Sequence, residues 1–107
     1  MTKLVAGDDA FIVSLNGHLD VYRASEVRRL LQEAAEQPRV VVDMSNVLTI
    51  SAVILTELVR CYKARTAQGH EPARLVVRST AVRKILEITD LTKLWPLFET
   101  LDAAQTP

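Results

Sequence analysis

Val40-Val41-Val42-Asp43-Met44-Ser45-Asn46-Val47-Leu48-Thr49-Ile50-Ser51-Ala52-Val53-Ile54-Leu55 decides how this chain folds. Three consecutive valines suit a strand buried on both faces, as in a central strand covered by helices. This strand is expected over residues 39–44. A short polar turn and a second apolar push follow it. Ser51 then stands where a helix N-cap is expected, its hydroxyl accepting a backbone N–H. The helix opens on four apolar residues, Ala52 to Leu55, which a surface helix rarely does. The protein's activity is expected around this strand-to-helix junction.

Downstream, the helix runs to about residue 67, with Leu55, Leu58, Val59 and Tyr62 as its inner stripe. Glu57, Arg60, Lys63 and Arg65 are assigned to its wet face, and Gly69 to its C-cap. A strand is expected over residues 74–78. Ser79 or Thr80 should cap a third helix that carries Val82, Ile85 and Leu86 inward and ends at Thr89-Asp90-Leu91. Residues 95–98 read as a short edge strand, because Pro96 removes a ladder donor. Trp95 is assigned to packing at that edge. Residues 99–104 suit a last helical turn or two, and residues 102–107 a frayed tail.

Upstream, residues 3–6 and 10–15 read as an antiparallel hairpin about a Gly7-Asp8-Asp9 turn, with Phe11, Val13 and Leu15 on one face. Asn16-Gly17-His18-Leu19-Asp20 breaks the alternation and is read as a loop. From about residue 22 to 36 the period turns helical, with Ala24, Val27, Leu30, Leu31 and Ala34 on one face. Asp20 lies where its carboxylate can serve the orphan N–H groups of that helix. The fold class is α/β: a mixed sheet of four to five strands flanked by about four helices, in the order β-β-α-β-α-β-α-β-α. One domain spans residues 1–107, with its core at about 3–101.

The chain has 107 residues, 49% hydrophobic and 24% charged, which suits one globular core. Thirteen basic residues balance thirteen acidic ones, so there is no electrostatic footprint for nucleic acid or an anionic membrane. A single cysteine, Cys61, forms no internal disulfide and fits a reducing cytoplasm. No apolar run approaches the ~20 residues of a membrane span, so no direct membrane insertion is expected. The N-terminus turns acidic too early for a signal peptide.

No catalytic constellation emerges. His18 and His70 are assigned to loops, without Cys or carboxylates at metal-ligand spacing. Cys61 lies beside the inner stripe of its helix and is assigned to packing. Three glycines are too few for a phosphate cradle, and neither a Walker loop nor Gly-x-Gly-x-x-Gly occurs. No metal or cofactor is expected, and the chain is read as a non-enzyme.

Asp43-Met44-Ser45-Asn46-Val47 resembles the Asp-Leu-Ser-Gly-Val of STAS domains, the anti-sigma factor antagonist fold. Leu55 matches the last residue of that family's Asp-Ser-Ser-Gly-Leu. Gly17-His18-Leu19-Asp20 is similar to its Gly-Glu-Leu-Asp, and Thr89-Asp90-Leu91 to its Thr-Gly-Leu. The resemblance implies a protein-binding regulator that engages an anti-sigma factor of the serine-kinase type, controls sigma-dependent transcription and is switched off by phosphorylation. An added phosphate brings roughly −1.5 to −2 charges into such an interface.

At the switch itself the chain departs from the family. The usual phosphoacceptor position holds Val53, the position before it Ala52, and the glycine position Ile54. Ser51 and Thr49 are the nearest substitute hydroxyls. The resemblance, taken with the apolar helix start, implies a contact surface of His18, Asp20, Asn46, Thr49, Ser51, Ala52, Val53 and Ile54. Three alternatives stand beside it: a STAS subunit docking on the ATPase of a lipid-type ABC transporter, a stressosome-like scaffold, and a small nucleotide-binding domain. Homodimerisation through the apolar patch is a further expectation.

Overall fold

The computed structural model describes the backbone of residues 2–4 and residues 10–105 in full. The expected Gly7-Asp8-Asp9 turn lies outside the described residues. Strands β1 (Thr2–Leu4), β2 (Phe11–Leu19), β3 (Val40–Ile50), β4 (Arg74–Val77) and β5 (Leu97–Phe98) form one sheet in sequence order. β1 is antiparallel to β2, and every other pairing is parallel. Helices α1 (Ala24–Ala35), α2 (Ala52–Ala67) and α3 (Thr80–Ile88) connect the parallel strands, and α4 (Leu101–Gln105) follows β5.

Each crossover steps to the next strand in the same direction, so the right-handed rule places all three connecting helices on one face. The burial agrees. Val13, Leu15, Val42, Met44, Leu75 and Val77 share one cluster with Val27 and Leu30 of α1, Leu58 of α2 and Leu86 of α3. The alternate strand residues Ile12, Val41 and Val76 point the other way and pack with Ala104 of α4. The triplet Val40-Val41-Val42 is buried on both faces, as the sequence suggested.

α4 forms where a last helical turn or two was expected and ends at Gln105. Arg39 and Arg74 explain its order: their guanidinium groups donate to the carbonyls of Gln105 and Ala104 at 3.4 and 3.0 Å. Cations at a helix C-terminus satisfy its free carbonyls and oppose its dipole. Trp95 is not edge packing; it is buried and meets Tyr62 edge-to-face at 6.1 Å.

Two charged residues of α2 depart from the expected wet face. Glu57 is only 2% exposed and accepts from Arg28 of α1 at 2.8 Å, with Arg60 at 3.6 Å. Arg65 is wholly buried beneath the C-terminal end of α1. It donates to the carbonyls of Ala34, Gln37 and Pro38 and twice to that of Glu71. Its planar fork of five donors suits such a multi-carbonyl socket, which an ammonium cannot fill.

Candidate functional site: the carboxyl ends of the parallel strands

β2 and β3 both run further than their sequence pattern suggested, and the reason lies in their pairing. Ser14 pairs with Asp43 and Asn16 with Asn46, so three steps on β3 match two on β2. Gly17 pairs with Val47 and His18 with Thr49, so Leu48 is a second inserted residue. These are β-bulges, which break a period-two pattern and re-aim side chains. The expected loop at residues 16–20 is therefore ladder up to Leu19. Gly17, with φ of 73°, supplies the left-handed backbone beside the second bulge.

Asp43 holds the first bulge. Its Oδ1 accepts the N–H of Ser45 at 3.0 Å, an Asx turn that replaces a lost ladder bond. The second bulge turns Leu48 into solvent, 56% exposed, between buried Val47 and exposed Thr49. Thr49 and its ladder partner His18 are joined side chain to side chain, Oγ1 to Nδ1, at 2.8 Å. Val21 and Tyr22, in the single 3-10 turn after β2, add more exposed apolar surface, Tyr22 being 91% exposed.

Three helix beginnings converge at this end of the sheet. Asp20 caps the 3-10 turn before α1, its Oδ1 accepting from Tyr22 N at 3.0 Å. Ser79 caps α3, its Oγ accepting from Val82 N at 3.3 Å and donating to Leu48 O at 3.4 Å. Ser51 precedes α2, and its carbonyl accepts from Ile54 and Leu55 at 3.1 and 3.2 Å. Its side chain does not cap, contrary to expectation. The Oγ is buried and has no hydrogen-bond partner among the described residues.

Of the expected contact residues, His18, Asp20, Asn46, Thr49 and Ala52 are exposed at this end. Val53 is half-buried and packs against the core, and Ser51 is half-buried. Ile54 is a correction: it is wholly buried in the core and presents nothing to a partner. The α2 start is therefore less of an apolar patch than its sequence suggests. Leu48, Val21 and Tyr22 supply the apolar surface instead, and they were not among the residues singled out. The signal for Leu48 was its place in the quoted stretch, but only the bulge shows which way it points.

Among the described residues no cluster of three His, Cys, Asp or Glu is disposed to hold a metal, and no helix is long and apolar enough to cross a membrane. Cys61 is buried, its Sγ 3.6 Å from Leu31 O, and burial holds its thiol above the usual range. A raised thiol is a poor nucleophile. His70 lies in the connection after α2, remote in sequence from the strand ends.

An open, largely parallel sheet with α1, α2 and α3 on one face and α4 on the other defines the class: an α/β domain with exposed groups at the carboxyl ends of its strands. The family is defined as well. The STAS domain profile matches residues 2–104, and the chain belongs to that family. An anti-sigma factor antagonist from Mycobacterium paratuberculosis is 28% identical, with TM-score 0.82, over 97% of this chain and 89% of that one. An anti-sigma-factor antagonist (STAS) domain protein from Planctomyces limnophilus is 17% identical, with TM-score 0.77, over 96% and 92%. A sulfate transporter family protein from Wolinella succinogenes is 18% identical, with TM-score 0.74, over 96% and 86%. The last two share the fold.

Proposed function

We propose that this chain is a protein-binding regulatory module of the anti-sigma factor antagonist kind, acting in the cytoplasm on a serine-kinase anti-sigma factor and lacking the usual phosphoacceptor. The carrying observation is the surface at the strand ends, where Leu48, Val21 and Tyr22 are exposed on the segments that carry the hydrogen-bonded His18–Thr49 pair. Exposed apolar side chains next to polar ones mark interaction surfaces. The similarity to the Mycobacterium paratuberculosis antagonist supports the same reading.

The half-buried Val53 side chain has no hydroxyl where the family carries its acceptor. Thr49 Oγ1 is engaged by His18, and Ser51 Oγ is buried. Phosphorylation of Ser51 then requires the first turn of α2 to open. The module binds its kinase without being switched off by it.

Leu48→Asp tests the surface, since an exposed side chain is changed and the core is untouched. Binding to a serine-kinase anti-sigma factor, measured by titration calorimetry, should weaken by roughly 10-fold or more, as for loss of a central interface anchor. Incubation with that kinase and ATP should leave the intact mass unchanged. Undiminished binding by the variant, or phosphate on the wild-type chain, refutes the proposal.

A further inference from the structure

A second surface runs along α2 from its first turn. Between α2 and the segment after α3 runs a groove of about 530 Å³, open to solvent along one side. Its floor is apolar, formed by Leu55 and Val59 of α2 and by Leu91. Its mouth carries Lys63 and Arg60, the latter 3.6 Å from a Glu57 that also binds Arg28, and no carboxylate lines the groove. Ile88, next in sequence to the lining residue Thr89, is 73% exposed at the end of α3. The nearby Asp90 is already engaged by Lys93 at 3.1 Å.

An enclosed pocket of this volume would suit a small molecule, which typically buries ~70–90% of its surface in its site. This groove is open along one side and floored by apolar side chains of α2 and Leu91. Both features favour a polypeptide laid along it. The two cations at the mouth decide the charge of that polypeptide. We infer that the α2–α3 groove docks an amphipathic helix of a partner protein, with apolar anchors flanked by acidic residues. Helix-in-groove recognition needs only such a trough and anchors at helical spacing.

The probe is a labelled helical peptide of about 15 residues, with leucines at i, i+3, i+4 and i+7 and glutamates between them. Its counterpart carries lysine in place of each glutamate. The full chain should bind the acidic peptide, with amide shifts at Leu55, Val59, Lys63 and Leu91. The basic peptide should bind at least ~10-fold more weakly. Lys63→Glu reverses one exposed charge and should weaken the acidic peptide by roughly 3- to 10-fold. Arg29→Glu makes the same change on the exposed side of α1 and should leave affinity unaltered. Equal binding of the two peptides, equal effects of the two substitutions, or shifts confined to the strand ends overturns the inference, as does no binding at all. No anti-sigma factor enters this experiment, so its outcome is independent of the proposed function.

Discussion

Arg65 gives the sharpest stability prediction. It is wholly buried and donates five hydrogen bonds to four carbonyls in three places: the last turn of α1, the turn into β3, and the connection after α2. A charged hydrogen bond contributes roughly 1.5–3 kcal/mol, but these do not simply add. Ala34 O also accepts from Gln37 N at 3.0 Å, so it keeps one partner when Arg65 is lost. Glu71 and Pro38 are exposed, so their carbonyls can regain water. Removing the cation also relieves its own desolvation. Arg65→Met, which keeps much of the volume, should therefore cost about 1–3 kcal/mol. Arg65→Ala should cost about 2–4 kcal/mol because it adds a cavity. Urea unfolding followed by the fluorescence of the single, buried Trp95 measures both. If Arg65→Met unfolds at the wild-type midpoint with an unchanged slope, the carbonyl socket is not what holds these segments together.

The two helix-cap serines should separate cleanly. Ser79→Ala loses a cap bond and should cost roughly 0.5–2 kcal/mol. Ser51→Ala removes a hydroxyl without a partner among the described residues and should change stability by less than about 0.5 kcal/mol, or raise it. Equal losses by thermal melting would show that Ser51 Oγ caps after all. Glu57 should give the fold an acid-dependent component. The hydrogen bond from Arg28 holds its carboxyl below the usual value of 4.5, outweighing burial, and Arg60 adds to this. A lowered folded-state pKa stabilises above the unfolded value, and that stability is lost as pH falls through the folded one. Glu57→Gln should flatten the stability profile below about pH 5. Glu26, lowered by its bond to Arg23, acts in the same direction, but its pair is exposed and contributes little. An unaltered acid profile in Glu57→Gln would show that the Glu57 pair carries no folding energy.

The frame of the fold was legible because it rests on local patterns. The valine triplet marks the central strand, the helical periods mark α1 and α3, and the β-α alternation fixes the parallel sheet. The misreadings share one cause: long-range partners. Glu57 and Arg65 look like surface residues until Arg28 and Ala34, 29 and 31 positions away, are brought to them. Arg39 and Arg74 reach the last carbonyls of α4 from 66 and 30 positions away. At the site, the register of β2 on β3 decides which side chains meet a partner. Two inserted residues on β3 send Leu48 outward, and a reading of β3 by itself has no means of counting them.

β5 is two residues long and begins directly after Pro96. An edge this short, with a proline at its entrance, gives an incoming strand almost no ladder to copy. Sheet-to-sheet growth from this side is closed to the chain, as is the aggregation that exposed edges invite. Whatever meets the molecule here does so through side chains, where specificity is encoded, rather than through backbone that every protein shares.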